Sequence, residues 1–162
     1  MKNALVPLTT ERLSIRVFRL DDLDEVYETL GPETSGGRIF EKKTKEEAEQ
    51  WLRNRMAEQE THGYSIWAIE RSNQEVIGVC GLIPWEPKPM ICYAIRKKFQ
   101  GHDYGAEVAG AVITRAAEEF GQVISTVRRS NVASVRVAEK IGMRPSEVAF
   151  SDDADLLSFV FP

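Results

Sequence analysis

The first clear pattern in the chain has a period of two: Leu13, Ile15 and Val17 interleave with Ser14, Arg16 and Phe18, which predicts a strand. A helical period follows, with Leu23, Val26, Tyr27 and Leu30 on one side behind Asp21 and Asp22, and Gly31-Pro32 as its stop. Glu33 to Lys43, with Gly36-Gly37, reads as a mobile loop. Thr44 and Glu47 form a capping box for a second helix, whose apolar stripe is Ala48, Trp51, Leu52 and Met56 and whose end is Gly63. Tyr64 to Glu70 and Val76 to Ile83 read as a hairpin about Arg71–Gln74. The proline-rich run Pro84 to Pro89 lacks ladder donors and is a loop, and Met90 to Ile95 is another strand.

The second half alternates helix and strand. Phe99-Gln100-Gly101-His102-Asp103-Tyr104-Gly105 leads into a helix whose apolar positions, Val108 to Ala116, cover more than one face, so deep burial is expected. Gln122 to Val127 is a strand. Asn131 caps a helix running through Ile141, with Gly142 at its stop. Glu147 to Phe150 and Leu156 to Phe161 are expected to close the chain as two strands about Ser151-Asp152-Asp153. The order βααβββαβαββ predicts an α/β (α+β) fold, a mixed sheet with helices packed on its faces.

Length and charge narrow the reading. With 162 residues, 43% of them hydrophobic, one core and one domain over 1–162 are expected. The 21 basic and 25 acidic side chains give a net charge of −4, which argues against a nucleic-acid partner. No apolar run reaches the roughly 18 residues of a membrane span, and none near the start resembles a signal core. Cys80 and Cys92 sit in apolar strands and read as buried free thiols. A cytoplasmic protein without a membrane partner is the expectation. His62 and His102 lack neighbours at metal-ligand spacing, so no metal is expected. Trp51, Trp67 and Trp85 read as core or cleft wall.

The segment from Gln100 to Gly105 joins a strand to a helix start through a short glycine-containing turn. Free amides and the helix dipole at such a place suit phosphate. Arg96, Lys97, Lys98, Arg128 and Arg129 are the cations placed to neutralise it. The same residues also suit a plain turn with solvated cations.

Three stretches decide between these readings. Leu8-Thr9-Thr10-Glu11-Arg12-Leu13-Ser14-Ile15-Arg16, the run from Ile91 through Glu107, and Asn131 through Met143 lie in order along nearly the whole chain. Together they resemble the GNAT superfamily of acetyl-CoA-dependent N-acyltransferases, in the branch typified by ribosomal-protein alanine N-acetyltransferases. The resemblance implies a sheet splayed at the strand holding Tyr93, Ala94 and Ile95, which would offer backbone groups to the pantetheine arm. It implies a pyrophosphate turn at Gln100, Gly101, His102, Asp103, Tyr104 and Gly105, with His102 lending its backbone N–H. Asn131 and Ser134 would begin the helix beside the thiol end, and Glu107 suits either catalysis or a favourable charge at a helix start.

The sequence also departs from the family. Asp103 stands where the turn's middle glycine is usual; a carboxylate facing the phosphates would repel by about 1–3 kcal/mol, unless it points outward or pairs with His102 or a lysine. Met90 and Ala138 replace the usual glutamate and tyrosine. Direct transfer requires a proton removed from the amine and one delivered to the thiolate. Ser134 is the expected proton donor. Glu70, Glu75, Glu86 and Tyr93 are the candidate bases, with Glu86 favoured for its place beside Trp85. A cysteine-linked route is not expected. The implied activity is acetyl transfer to a primary amine on a protein, a peptide or a small molecule, with acetyl-CoA as cosubstrate; Glu33–Lys43 and Pro84–Pro89 are expected to shape acceptor choice. A homodimer is compatible with it, and a CoA-binding sensor without turnover is the alternative reading.

Overall fold

The computed structural model describes residues 4–30 and 43–161. The chain runs β1 (Leu8–Thr9), β2 (Leu13–Arg16), α1 (Leu23–Leu30), α2 (Lys45–His62), β3 (Ile66–Arg71), β4 (Val76–Ile83), β5 (Met90–Ile95), α3 (Tyr104–Phe120), β6 (Val123–Arg128), α4 (Val132–Lys140), β7 (Arg144–Pro145) and β8 (Leu156–Phe161). Single 3₁₀ turns precede α1 and α3. Except for Lys43, the expected loop Glu33–Lys43 and the stop Gly31-Pro32 lie outside the described residues.

Local sequence accounts for the helix ends. Thr44 accepts from the Glu47 amide at 3.2 Å while Glu47 accepts from the Thr44 amide at 2.8 Å, and Gly63 ends α2 at φ 78°. Asn131 Oδ1 accepts from the Ser134 amide at 3.1 Å, and Gly142, at φ 91°, follows the end of α4.

One mixed sheet carries two cores. Its strand order is β1-β2-β3-β4-β5-β6-β8-β7. On one face α3 packs Val108, Val112 and Ile113 against Ile15, Ile77 and Ile91; on the other, α1 and α2 pack Val26, Leu30 and Leu52 against Ile66, Val79 and Ala94. Neighbouring strands pair antiparallel except β5 and β6, which run parallel and meet at a single pair, Met90 with Ile124. Beyond that pair the strands part, β5 staying with β4 and β6 with β8. The sheet therefore opens into a notch along Tyr93–Ile95, the splayed geometry expected.

Two local expectations change. The alternation of β2 stops at Arg16: Val17 is 46% exposed and Phe18 is buried against Trp51, ring centroids 5.7 Å apart. The cause is the turn after it, where Asp22 binds the Arg16 guanidinium at 2.9 Å and the Arg19 amide at 2.7 Å. No strand forms over Glu147–Phe150. Ser146 Oγ serves both the amide and the carbonyl of Val148, and Ser158 Oγ accepts from the Phe150 amide, so side chains take the place of a ladder. On its edge away from β6, β8 pairs instead with the two-residue β7, with Arg144 opposite Val160.

Candidate active site

At the end of β5 the chain turns through Gly101 at φ 85° and Asp103 at φ 62°, both in the left-handed region, then enters α3. Glycine adopts that region freely and aspartate better than most residues. Thr44 and Asn131 cap α2 and α4 with their side chains, whereas Asp103 makes no capping bond to α3. Its carboxylate reaches Lys140 Nζ at 3.0 Å instead. The amides of Tyr104, Gly105 and Ala106 precede any intrahelical acceptor and stay open. Gly105 allows α3 to lie on Tyr93: a Cβ there would stand 3.0 Å from the Tyr93 ring.

The other side of the turn is tied to the start of the sheet. Arg12 donates from Nη2 to the His102 carbonyl at 2.8 Å and from Nε to Glu107 at 2.7 Å, and its guanidinium lies 4.4 Å above the Tyr104 ring. Glu107 also accepts from Thr10 Oγ1 at 2.5 Å and from the Arg12 amide at 3.0 Å. Burial pushes the Glu107 carboxyl up, but these hydrogen bonds outweigh it and hold the group below the usual carboxylate range. Glu107 thus ties the first turn of α3 to the β1–β2 corner.

Two cavities meet in the notch. The larger, about 810 Å³, lies between β5, the turn and α4. The smaller, about 380 Å³, lies on the other side, against β6, with Trp85 and Met90 in its wall. They share Tyr93, Arg128, Asn131, Ser134 and Val137, so they form the two ends of one channel. At the junction the Tyr93 hydroxyl donates to Ser134 Oγ at 3.4 Å. Burial pushes the Tyr93 phenol above its usual value, so it stays protonated at neutral pH.

The larger cavity gathers Tyr93, Ala94, Ile95, Gln100, Gly101, Asp103, Tyr104, Gly105, Asn131 and Ser134. His102 stands apart: its ring nitrogen Nδ1 lies 3.1 Å from the Gln100 carbonyl, and it does not line either cavity. Gln100 spends its side-chain amide on the Ile95 carbonyl at 2.9 Å. Glu86, expected at the cleft mouth, is exposed on the Pro84–Pro89 loop and lines neither cavity. Glu70 is held by Arg16 at 2.7 Å, and Glu75 lies 3.4 Å from Lys98 and 3.7 Å from Arg96.

The cations differ most from expectation. Arg96 is buried, donates to the Val76 carbonyl at 2.7 Å and pairs with Glu28; it fastens β4 to α1 and faces neither cavity. Of the expected cations Arg128 lines the larger cavity, joined there by Arg136 and Lys140. Arg136 and Lys140 escaped the sequence reading, although Ala133, Arg136, Val137 and Lys140 follow a helical i, i+3, i+4, i+7 spacing behind the Asn131 cap. Cys92 lines the smaller cavity, yet burial pushes its thiol up to about 12. A thiol so rarely ionised is a poor nucleophile. Among the described residues no group of His, Cys, Asp and Glu is arranged to hold a metal ion, and no helix is long and apolar enough to cross a membrane.

Residues 12–144 match the family described as acetyltransferase (GNAT) domain. An uncharacterized Bacillus subtilis protein, YkkB, is 28% identical over 153 residues, covering 90% of this chain and 89% of its own. Among solved structures, an acetyltransferase from Agrobacterium tumefaciens superposes with a TM-score of 0.81 at 24% identity, covering 96% of this chain and 93% of that one. RimL, a ribosomal L7/L12 alpha-N-protein acetyltransferase solved with coenzyme A, gives 0.73 at 18% identity, covering 97% and 96%. At these identities the likeness of the structures is one of fold.

Proposed function

Since the chain belongs to the GNAT acetyltransferase family, we propose that its notch binds acetyl-CoA and passes the acetyl group directly to a primary amine, with residues 1–162 acting as one domain. The observation that carries this reading is the channel itself, which runs from the uncapped amides of α3 past Tyr93 and Ser134 to a second opening.

In this reading the amides of the Gln100–Gly105 turn and the first turn of α3 hold the diphosphate, helped by the helix dipole. Arg136 and Lys140 supply positive charge there. The face of β5 turned toward β6, unpaired beyond Met90, lines the pantetheine arm. The amine enters from the smaller cavity and meets the thioester near Ser134.

The amine lone pair attacks the carbonyl carbon, the C–N bond forms, and the C–S bond breaks. The sulfur takes the bonding pair and receives a proton from Ser134 Oγ, which the Tyr93 hydroxyl resupplies. The proton lost by the amine returns through solvent or the Tyr93–Ser134 pair, leaving an N-acetyl amine and free CoA. Backbone N–H groups along Tyr93–Ile95 are the donors for the carbonyl oxygen as charge develops on it.

Calorimetry with CoA, together with thiol release from acetyl-CoA over a panel of amines and N-terminal peptides, tests the proposal. Binding with release supports it. Binding without release across the panel would make the chain a CoA sensor, and no binding would overturn both readings.

A further inference from the structure

The acceptor end of the channel has a chemistry of its own. Its walls are largely apolar, with Ile83, Met90, Met143 and Leu156 inside and Trp85, 42% exposed, within the lining. Among the described residues the one charged side chain lining it is Arg128. That guanidinium spends one N–H on Asp155 at 3.2 Å, an exposed pair that holds it weakly, and its remaining donors have no partner among the described residues.

A second group points the same way. Ser125 is 8% exposed, lines this cavity, and its hydroxyl has no partner among the described residues. The Ser125 hydroxyl therefore opens onto the cavity, where a ligand can displace water from it. The neighbouring Thr126 hydroxyl, in contrast, is already directed at Met90 Sδ at 3.5 Å.

Resting on the transfer reading above, we propose that this cavity takes an α-amino acid with an uncharged, apolar side chain, its carboxylate on Arg128. The side chain lies against Met90 and Leu156, the Ser125 hydroxyl bonds the polar end, and the amine faces the Tyr93–Ser134 junction. The surroundings also prepare the nucleophile: apolar walls disfavour an ammonium and release the neutral amine. No carboxylate base is then required, which accords with Glu86, Glu70 and Glu75 lying elsewhere. Polyamines bring further cations beside Arg128 and are disfavoured for the same reason.

The test pairs CoA-binding calorimetry with thiol release from acetyl-CoA using leucine, leucinamide and spermidine, on the wild type and on Arg128→Gln. Leucine is expected to react with a KM about tenfold below that of leucinamide, in line with loss of one charge-assisted contact, and spermidine least. Arg128→Gln should raise the leucine KM about tenfold more than it raises the leucinamide KM. Leucinamide matching leucine would point to a peptide N-terminus and overturn the carboxylate assignment. Preference for spermidine, or a leucine KM that Arg128→Gln leaves unmoved, would overturn it too. CoA uptake with no release from any acceptor, or failure to bind CoA, is a separate result, which removes the transfer reading itself.

Discussion

Asp103 adopts a left-handed conformation at the mouth of the larger cavity and directs its carboxylate to Lys140 at 3.0 Å. The pairing resolves the repulsion that an aspartate in a phosphate turn would otherwise cause, but it occupies a lysine that the phosphates could use. Asp103→Gly should free Lys140 and remove a negative charge, gaining about 1 kcal/mol, or a roughly fivefold tighter CoA Kd. Calorimetry on this variant showing an unchanged Kd would mean that the pair stays clear of the ligand. Ser134 supports a different prediction because it lies at the junction of the two cavities. Ser134→Ala should lower kcat about tenfold or more with the CoA Kd little changed; an unaltered rate would remove its hydroxyl from the mechanism. Asp103's tolerance of the turn was legible from residue type. A lysine partner was among the expectations, but not which lysine, because Lys140 is remote in sequence and is brought near by the packing of α4.

Elements depend on one another through a few contacts, and the clearest is the brace from the β1–β2 corner to α3. Glu107, held ionised by Thr10 and Arg12, has a folded pKa below its unfolded value near 4.3. Its stabilising effect is therefore complete above about pH 4.3 and disappears as pH falls through the lower folded value. Glu107→Gln should lower Tm at pH 7, and the gap from wild type should close at more acidic pH; a gap constant from pH 7 to 3 would mean that charge contributes nothing. The β4–β5 pair is as tightly constrained. A Cβ at Gly78 would stand 2.3 Å from the Ala94 carbonyl oxygen, so Gly78→Ala must displace β5. A loss of about 1–3 kcal/mol of stability and weaker CoA binding are expected together, and denaturant titration beside calorimetry will show whether they move together. Helix caps at Thr44 and Asn131 were legible because capping is local. The missing strand at Glu147–Phe150 was not, since Ser146 and Ser158 settle that segment through bonds its hydropathy does not reveal.

For the molecule as a whole, the order of helices and strands was written in periodicity, while the opening of the sheet was not. It arises because β5 and β6 share one pair and then follow different partners, a property of pairing rather than of either strand. The cations show the same division. Arg96 reads from sequence as a phosphate ligand but is buried against Glu28 and Val76, and the channel draws its charge from Arg128 at the end of β6 and from Arg136 and Lys140 on α4. The central claim is that the amides beginning α3 hold the diphosphate of CoA at the edge of this opening. A crystal structure of the chain with CoA tests it most directly. The account predicts phosphate oxygens within hydrogen-bond distance of the amides between Gly101 and Ala106, with the thiol near Ser134. CoA seated elsewhere, or diphosphate density away from that turn, would contradict it.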